Sequence, residues 1–289
     1  MNKKKLEWTG ERLTTELESV YGVIEHLHRY AIAQQIVKNK IVLDIASGEG
    51  YGSHLLSKFA FKTYGVDIDA KSVAHANEKY ANENLNFIVG STDLIPLEDN
   101  SIDLVVSFET IEHHNKHDLM IQEIKRVLKK DGVLLISSPE KSIYSERDAN
   151  NPFHVKEITL DEFEVLLKKY FNKIYLLQQR FVTGSLISLI DNNIKSSFNT
   201  FDGDFDTIYP FLKQEDFYNK PYFNLAICSN ENINIQSEIG NSLFNGFEVT
   251  KRQLKSVNDK YEMVLNSYSF KFGNSIFKKL KYFKKIWTR

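Results

Sequence analysis

The period of the apolar positions changes several times along the chain, and each change marks an element. From about Ser19 to Lys38 they fall at Val23, Leu27, Tyr30, Ile32, Ile36 and Val37, broadly one face of a helix. Residues 41–46 alternate too little for a half-exposed strand and are too few for a helix, so they predict a central parallel strand covered on both faces. Gly48, Gly50 and Gly52 follow at alternate positions and predict a tight turn into another helix. Thr63–Val66, a segment ending near Val89, SIDLVVSF (101–108) and VLLISSP (133–139) predict four further strands, with a loop from Ser91 to Pro96. KHDLMIQEIKRVLKKDG (116–132) reads as an amphipathic helix closed by Gly132 as its C-cap. A helix from about Leu160 to Tyr170, a strand around Ile174–Gln179 and a last strand in FNLAICS (223–229) complete an α/β pattern. Residues 6–16 have no clear period and predict an irregular N-terminal lid, and 184–221 predict an insertion that either covers a substrate or is a structural excursion.

Composition bounds this picture. With 289 residues, 42% of them apolar, the chain can hold one large α/β domain and an appendage. No apolar run approaches the roughly 20 residues needed to cross a bilayer. The start, MNKKKLEWTGER, lacks an apolar segment after its basic residues, so no secretory signal is expected and the cytoplasm is the default location. Cys228, the single cysteine, sits in a strand-like run and reads as a buried small hydrophobe. A net charge of −1 predicts no overall preference for nucleic acid. Charge is unevenly placed, however: after Glu262 there is no acid, while Lys271, Lys278, Lys279, Lys281, Lys284, Lys285 and Arg289 accumulate. From Gly246 onward the pattern is helical. Lysines interleave with Ile276, Phe277, Leu280, Phe283, Ile286 and Trp287, which predicts that residues 271–289 dock on an anionic membrane surface or a partner.

The glycine turn carries the first chemistry. Exposed N–H groups and the positive end of the next helix favour an anionic or polar ligand, and Asp67, at the end of the second strand in GVDID, can accept hydrogen bonds from both hydroxyls of a ribose. Ser53 stands where a dinucleotide fingerprint would place its third glycine, which argues against a nicotinamide dehydrogenase. In the first helix, Arg29 or His26 could meet a carboxylate. LDIASGEGYG and VDID resemble the class I S-adenosylmethionine (SAM)-dependent methyltransferases over roughly residues 25–230. The resemblance implies a Rossmann-like seven-stranded sheet with helices on both faces. It also implies SAM binding by Asp44, Ala46, Gly48, Gly50, Asp67, Ile68, Ser91, Thr92, Phe108 and Arg29, with Ser91 replacing the acid that often contacts adenine and Asp93 as its substitute.

The second constellation is ETIEHH. On a helix, Glu109, Glu112 and His113 at i, i+3 and i+4 would share one face, where a cation would relieve the repulsion of the two carboxylates. Acids that merely complement a helix dipole are the alternative. ExxEH here is similar to the magnesium signature of ubiquinone-pathway and small-RNA 3′-terminal ribose O-methyltransferases. That likeness implies Mg²⁺ or Mn²⁺ on Glu109, Glu112, His113 and His154, with His154 or His114 as proton acceptor. TGER, ETIEHH with NPFHVKE, and the tail LNSYSFKFGNSIFKKLKYFKK resemble bacterial surface-polysaccharide methyltransferases and glycan-assembly enzymes. This implies a bacterial SAM-dependent O-methyltransferase acting on a sugar hydroxyl of a surface glycan or its precursor, cytoplasmic or peripheral at the inner face of the membrane, with a glycan-assembly protein as one tail partner. A quinone-type or ribose diol acceptor, or a non-catalytic SAM-binding scaffold, remains open. The expected divisions are 1–40, a lid and helix; 41–230, the methyltransferase domain; and 231–289, a linker and basic tail.

Overall fold

The structure, a computed structural model, describes residues 20–147, 151–182, 201–203, 208–210, 221–232 and 242–276. The expected lid (6–16), most of the 184–221 insertion and the tail beyond 276 lie outside the described residues.

The strands are β1 (Ile41–Ile45), β2 (Lys62–Asp67), β3 (Leu85–Val89), β4 (Ile102–Ser107), β5 (Leu128–Pro139), β6 (Lys173–Gln179), the short β7 (Phe201–Gly203) and β8 (Ile208–Pro210), and β9 (Phe223–Ser229). The helices are α1 (Val20–Ile36), α2 (Tyr51–Ser57), α3 (Ala70–Lys79), α4 (His117–Val127), α5 (Lys141–Arg147), α6 (Leu160–Lys168) and α7 (Phe247–Asn266). Seven strands form one sheet in the order β3-β2-β1-β4-β5-β9-β6. Strands β1 to β5 pair in parallel, and β9 runs antiparallel to both β5 and β6. This is the Rossmann-like seven-stranded sheet that the resemblance implies.

Both faces are covered, as the apolar runs predict. Leu43 and Ile45 of β1 pack with Met120, Ile121 and Ile124 of α4 and Phe163 and Leu167 of α6. Val42, Leu104 and Val106 point the other way, to Tyr30, Ala33 and Ile36 of α1 and Leu56 of α2. Strand order reverses between β1 and β4, which opens a crevice beyond their carboxyl ends. The glycine turn after β1 and the ETIEHH segment after β4 both sit at that edge.

One boundary differs from expectation. α4 stops at Val127, and Gly132 is not its cap but lies inside β5. Ile102 pairs with Leu128 and Leu104 with Val133, so three additional β5 residues bulge out between those pairs. Helical propensity in LKKDG yields to pairing with β4. The described residues from Tyr21 to Phe244 make one compact unit, so α1 belongs with the sheet; those after it make a second. In that second unit α7 presents Leu254, Val257, Tyr261 and Val264 to solvent. No helix among the described residues is long and apolar enough to cross a membrane.

Candidate active site

The turn after β1 is left-handed three times, at Ala46 (φ 60°), Gly48 (φ 56°) and Gly50 (φ 91°). A Cβ on Gly50 would lie 2.7 Å from the Phe87 ring and 2.8 Å from Ala76, so that glycine is required by packing as well as by φ. Asp67 fixes the turn from β2: its carboxylate accepts from Gly48 N–H (2.8 Å) and Asp69 N–H (2.9 Å). Carboxylate oxygens have further lone pairs for ribose hydroxyls. Next to it Ile68 is 75% exposed, an apolar face at the crevice suited to an adenine ring.

Asp44 lies beneath the turn. It is buried, and accepts from Ser53 Oγ (2.7 Å) and Tyr30 Oη (3.2 Å). Burial raises its carboxyl to about pH 7, against the opposing pull of those two hydrogen bonds. The folded-state value thus exceeds the unfolded one, so the folded state favours the protonated acid. The stability this proton confers is present at low pH and drains away as pH climbs from about 4 to about 7. Asp44→Asn, which cannot titrate, is expected to gain stability relative to wild type across that window and to run parallel to it above. Urea unfolding at several pH values checks this.

Arg29 of α1 is 1% exposed, and its guanidinium lies 4.8 Å over the Phe223 ring. Nη1 donates to Gln179 Oε1 (2.6 Å) at the end of β6, whereas Nε and Nη2 have no hydrogen-bond partner among the described residues. A buried guanidinium with two unfilled donors suits an anionic group of a ligand. His26 bonds Tyr51 Oη through Nδ1 (3.0 Å), and burial, then Arg29, holds its pKa well below the usual value. It is therefore neutral, which makes Arg29 the cation of the pair.

After β4 the chain does not enter the expected helix. Phe108 is buried edge-on against Tyr30; Glu109 takes φ 50°, and only a single 3₁₀ turn, Ile111–His113, follows. Left-handed backbone at Glu109 breaks the i, i+3, i+4 register and sends its side chain to Ser137 rather than to Glu112. Ser137 Oγ donates to Glu109 Oε1 (2.6 Å) and accepts from Glu109 N–H (3.1 Å). What does converge is Glu112, His113 and His154, whose candidate ligand atoms lie within 4.8 Å of one another. The loop after β5 is pinned to this turn by Val155 N–H (2.8 Å) and Lys156 N–H (3.0 Å), which donate to the Glu112 carbonyl. His113 Nδ1 donates to the Phe153 carbonyl (3.2 Å) while its Nε2 lies 4.0 Å from Glu112 Oε1, and His154 Nδ1 bonds Glu157 (2.6 Å), so each ring is oriented through Nδ1 by an oxygen partner. Tyr144 stacks on His154 at 5.3 Å. A carboxylate with two imidazoles, each oriented by an oxygen partner, is a donor set that fits a divalent cation.

His114 is placed differently. Its Nδ1 accepts from Lys116 N–H (3.2 Å), which puts the proton on Nε2, bonded to Thr92 Oγ1 (3.2 Å). Both nitrogens are engaged, so His114 anchors the Ser91–Thr92 loop instead of standing ready to take a proton. Asp93 pairs with Lys116 (2.5 Å) and accepts from the Ser91 hydroxyl, which hold it at about 2. His117 is buried and donates from Nε2 to the His114 carbonyl (2.7 Å). Ser137 and Gln179 fall in no motif and were not legible as site residues; Glu157 closes the NPFHVKE run, but the run gave it no role.

Residues 43–136 match a family model described as a methyltransferase domain. That part of the chain is similar to SAM-dependent methyltransferases, and the chain spans less than two thirds of the length of the first curated relatives it matches. A Mycolicibacterium smegmatis protein named as a probable SAM-dependent methyltransferase is 35% identical over 166 residues, 56% of this chain and 64% of its own length. A ubiquinone biosynthesis O-methyltransferase of Pelagibacter ubique is 28% identical over 38% of this chain and 46% of its own. The solved SAM-dependent methyltransferase of Archaeoglobus fulgidus shares the fold, with a TM-score of 0.51 at 18% identity over 73% of this chain and 94% of that one. The matched segment contains the glycine turn and Asp67.

Proposed function

We propose that the protein is a SAM-dependent O-methyltransferase, assisted by a divalent cation, whose acceptor is a sugar hydroxyl with a neighbouring hydroxyl. The convergence of Glu112, His113 and His154 at the carboxyl edge of the sheet carries this reading. The cation would be held by the Glu112 carboxylate and the Nε2 atoms of His113 and His154. When bound, it supplies positive charge that orients a vicinal diol and favours the alkoxide form of the attacking hydroxyl.

The remaining work falls to the chain. The acceptor oxygen forms its bond to the methyl carbon as the carbon–sulfur bond breaks, with that electron pair going to sulfur, and one proton leaves the hydroxyl. Such a displacement is in line, so rate comes from alignment and the exclusion of water. The glycine turn, Asp67 and Arg29 fix the donor, while the 3₁₀ turn, stapled to the loop carrying His154, fixes the acceptor side. With the cation held, the hydroxyl proton passes to water; without it, His154, oriented by Glu157, is the proton acceptor.

The sugar is supported by the likeness of TGER, ETIEHH and NPFHVKE to surface-polysaccharide methyltransferases. The Pelagibacter ubique relative favours a second reading, a catechol-like diol on a quinone precursor. Labelled methyl transfer from SAM to nucleotide-linked sugars and to catechols, with and without EDTA, tests both. Label in the sugar that EDTA suppresses and Mg²⁺ or Mn²⁺ restores is the expected result. Label only in the catechol would replace the acceptor, and turnover unaffected by EDTA would remove the cation.

A further inference from the structure

We propose that α7 is an assembly element: its apolar seam pairs antiparallel with the α7 of a second copy of this chain, in a two-stranded coiled coil that holds a homodimer. This goes beyond the proposed chemistry and does not depend on it.

Sequence spacing makes the seam. Phe247, Thr250, Leu254, Val257, Tyr261 and Val264 recur at alternating steps of three and four along the 20 residues of α7, the a and d positions of a heptad. The five apolar members are 57–65% exposed. Val249, Gln253 and Ser256, which are less exposed, lie on another side of the helix, so the seam is open among the described residues. A continuous apolar stripe of this kind is unusual on the surface of a monomer.

Width, charge and size select the occupant. The stripe is two positions wide, with Lys251 and Asn258 along one border and Gln253 and Lys260 along the other. A narrow seam suits another helix, whereas a helix lying in a bilayer surface needs a broad apolar face and a basic polar one. α7 carries Lys251, Arg252, Lys255 and Lys260 against Glu248, Asp259 and Glu262, four cations to three acids, which gives anionic lipid little to attract. In an antiparallel pair each a position faces a d position of the partner helix, and a two-fold axis near the middle of α7 sets Phe247 against Val264, Thr250 against Tyr261 and Leu254 against Val257. Every layer then joins a larger side chain to a smaller one, which fills the interface evenly. At the borders Gln253 meets Lys260 and Lys251 meets Asn258, so no like charges face each other. A parallel pair would stack Tyr261 on Tyr261 and Thr250 on Thr250. It would also bring together two copies of the run after Glu262, which has seven cations and no acid.

Light scattering by the full chain is expected to give twice the mass of one chain, and a twofold lower mass for the variant Leu254→Asp with Val257→Asp, which puts carboxylates into the central layers. Disulfide trapping reads the arrangement in the folded protein, because Cys228, the single native cysteine, is buried. Thr250→Cys and Tyr261→Cys, prepared separately, should each stay unlinked alone, since the two copies of either position lie about 16 Å apart along the antiparallel pair. Mixed, they should join as a covalent heterodimer. Efficient self-linking of either variant would make the pair parallel and overturn the register. A double-aspartate variant that remains dimeric would overturn the seam as the interface. Wild type that is monomeric, yet sediments with phosphatidylglycerol vesicles when the double-aspartate variant does not, would make the seam a lipid surface and overturn the dimer.

Discussion

Glu112→Ala is expected to lower kcat for methyl transfer by about 10³-fold, the scale seen when a preorganised electrostatic group is removed, and to leave S-adenosylhomocysteine affinity within about twofold. The reason for the split lies in how the turn is held. Glu112 contributes two separate things: a carboxylate in the group with His113 and His154, and a main-chain carbonyl that receives the amides of Val155 and Lys156. Alanine deletes the first and keeps the second, so the loop bearing His154 stays docked. Nothing on the cofactor side is touched, since Asp67, the glycine turn and Arg29 belong to other elements. His154→Ala should show the same pattern, and Glu157→Gln a milder one of about 10- to 100-fold, because it disturbs only the orientation of the imidazole. Steady-state kinetics with calorimetry on the same preparations measures both quantities. A loss of nucleoside affinity equal to the loss of rate would mean that the group is structural.

How much of this was legible depended on distance along the chain. The strand, turn and helix from Ile41 to Ser57, and Asp67 after the next strand, are local features whose periodicity and glycine spacing survive folding. ETIEHH was legible as chemistry but not as shape. Its spacing is helical, yet Glu109 turns left-handed, and the chain makes only one 3₁₀ turn before His114 goes extended. The α4–β5 boundary failed for the opposite reason: LKKDG has the local marks of a helix end, and only the pairing of Leu128 with Ile102 shows that the strand has already begun. Least legible were the partners that orient the site. Gln179 is 150 residues from Arg29 and Ser137 is 28 from Glu109, and neither residue type announces a contact of that range.

Gly52 shows how the same glycine motif can mislead, and it yields the larger stability effect. In the sequence it completes a row of three that suggests a backbone laid open to a ligand; in the structure it is inside α2, past the turn. Helix propensity alone says that Gly52→Ala should stabilise by about 1 kcal/mol. Packing says otherwise. A Cβ there would sit 1.9 Å from Tyr30 Cζ and 2.1 Å from its hydroxyl. Tyr30 cannot yield cheaply: its ring stands edge-on between Phe108 at 5.1 Å and Tyr51 at 5.7 Å, and its hydroxyl is bonded to Asp44. Overpacking typically costs about 1 to 3 kcal/mol, and a contact this short against a ring that cannot yield belongs at the upper end, so the clash outweighs the propensity gain and Gly52→Ala is expected to be destabilised by about 2 kcal/mol. Shortening the ring with Tyr30→Leu removes the obstruction, and the double variant should therefore be less destabilised than the sum of the two single changes. Chemical denaturation of the four proteins decides it. A Gly52→Ala protein as stable as wild type would mean that the Tyr30 ring moves freely. In that case Tyr30 could not be what seats Asp44 beneath the turn.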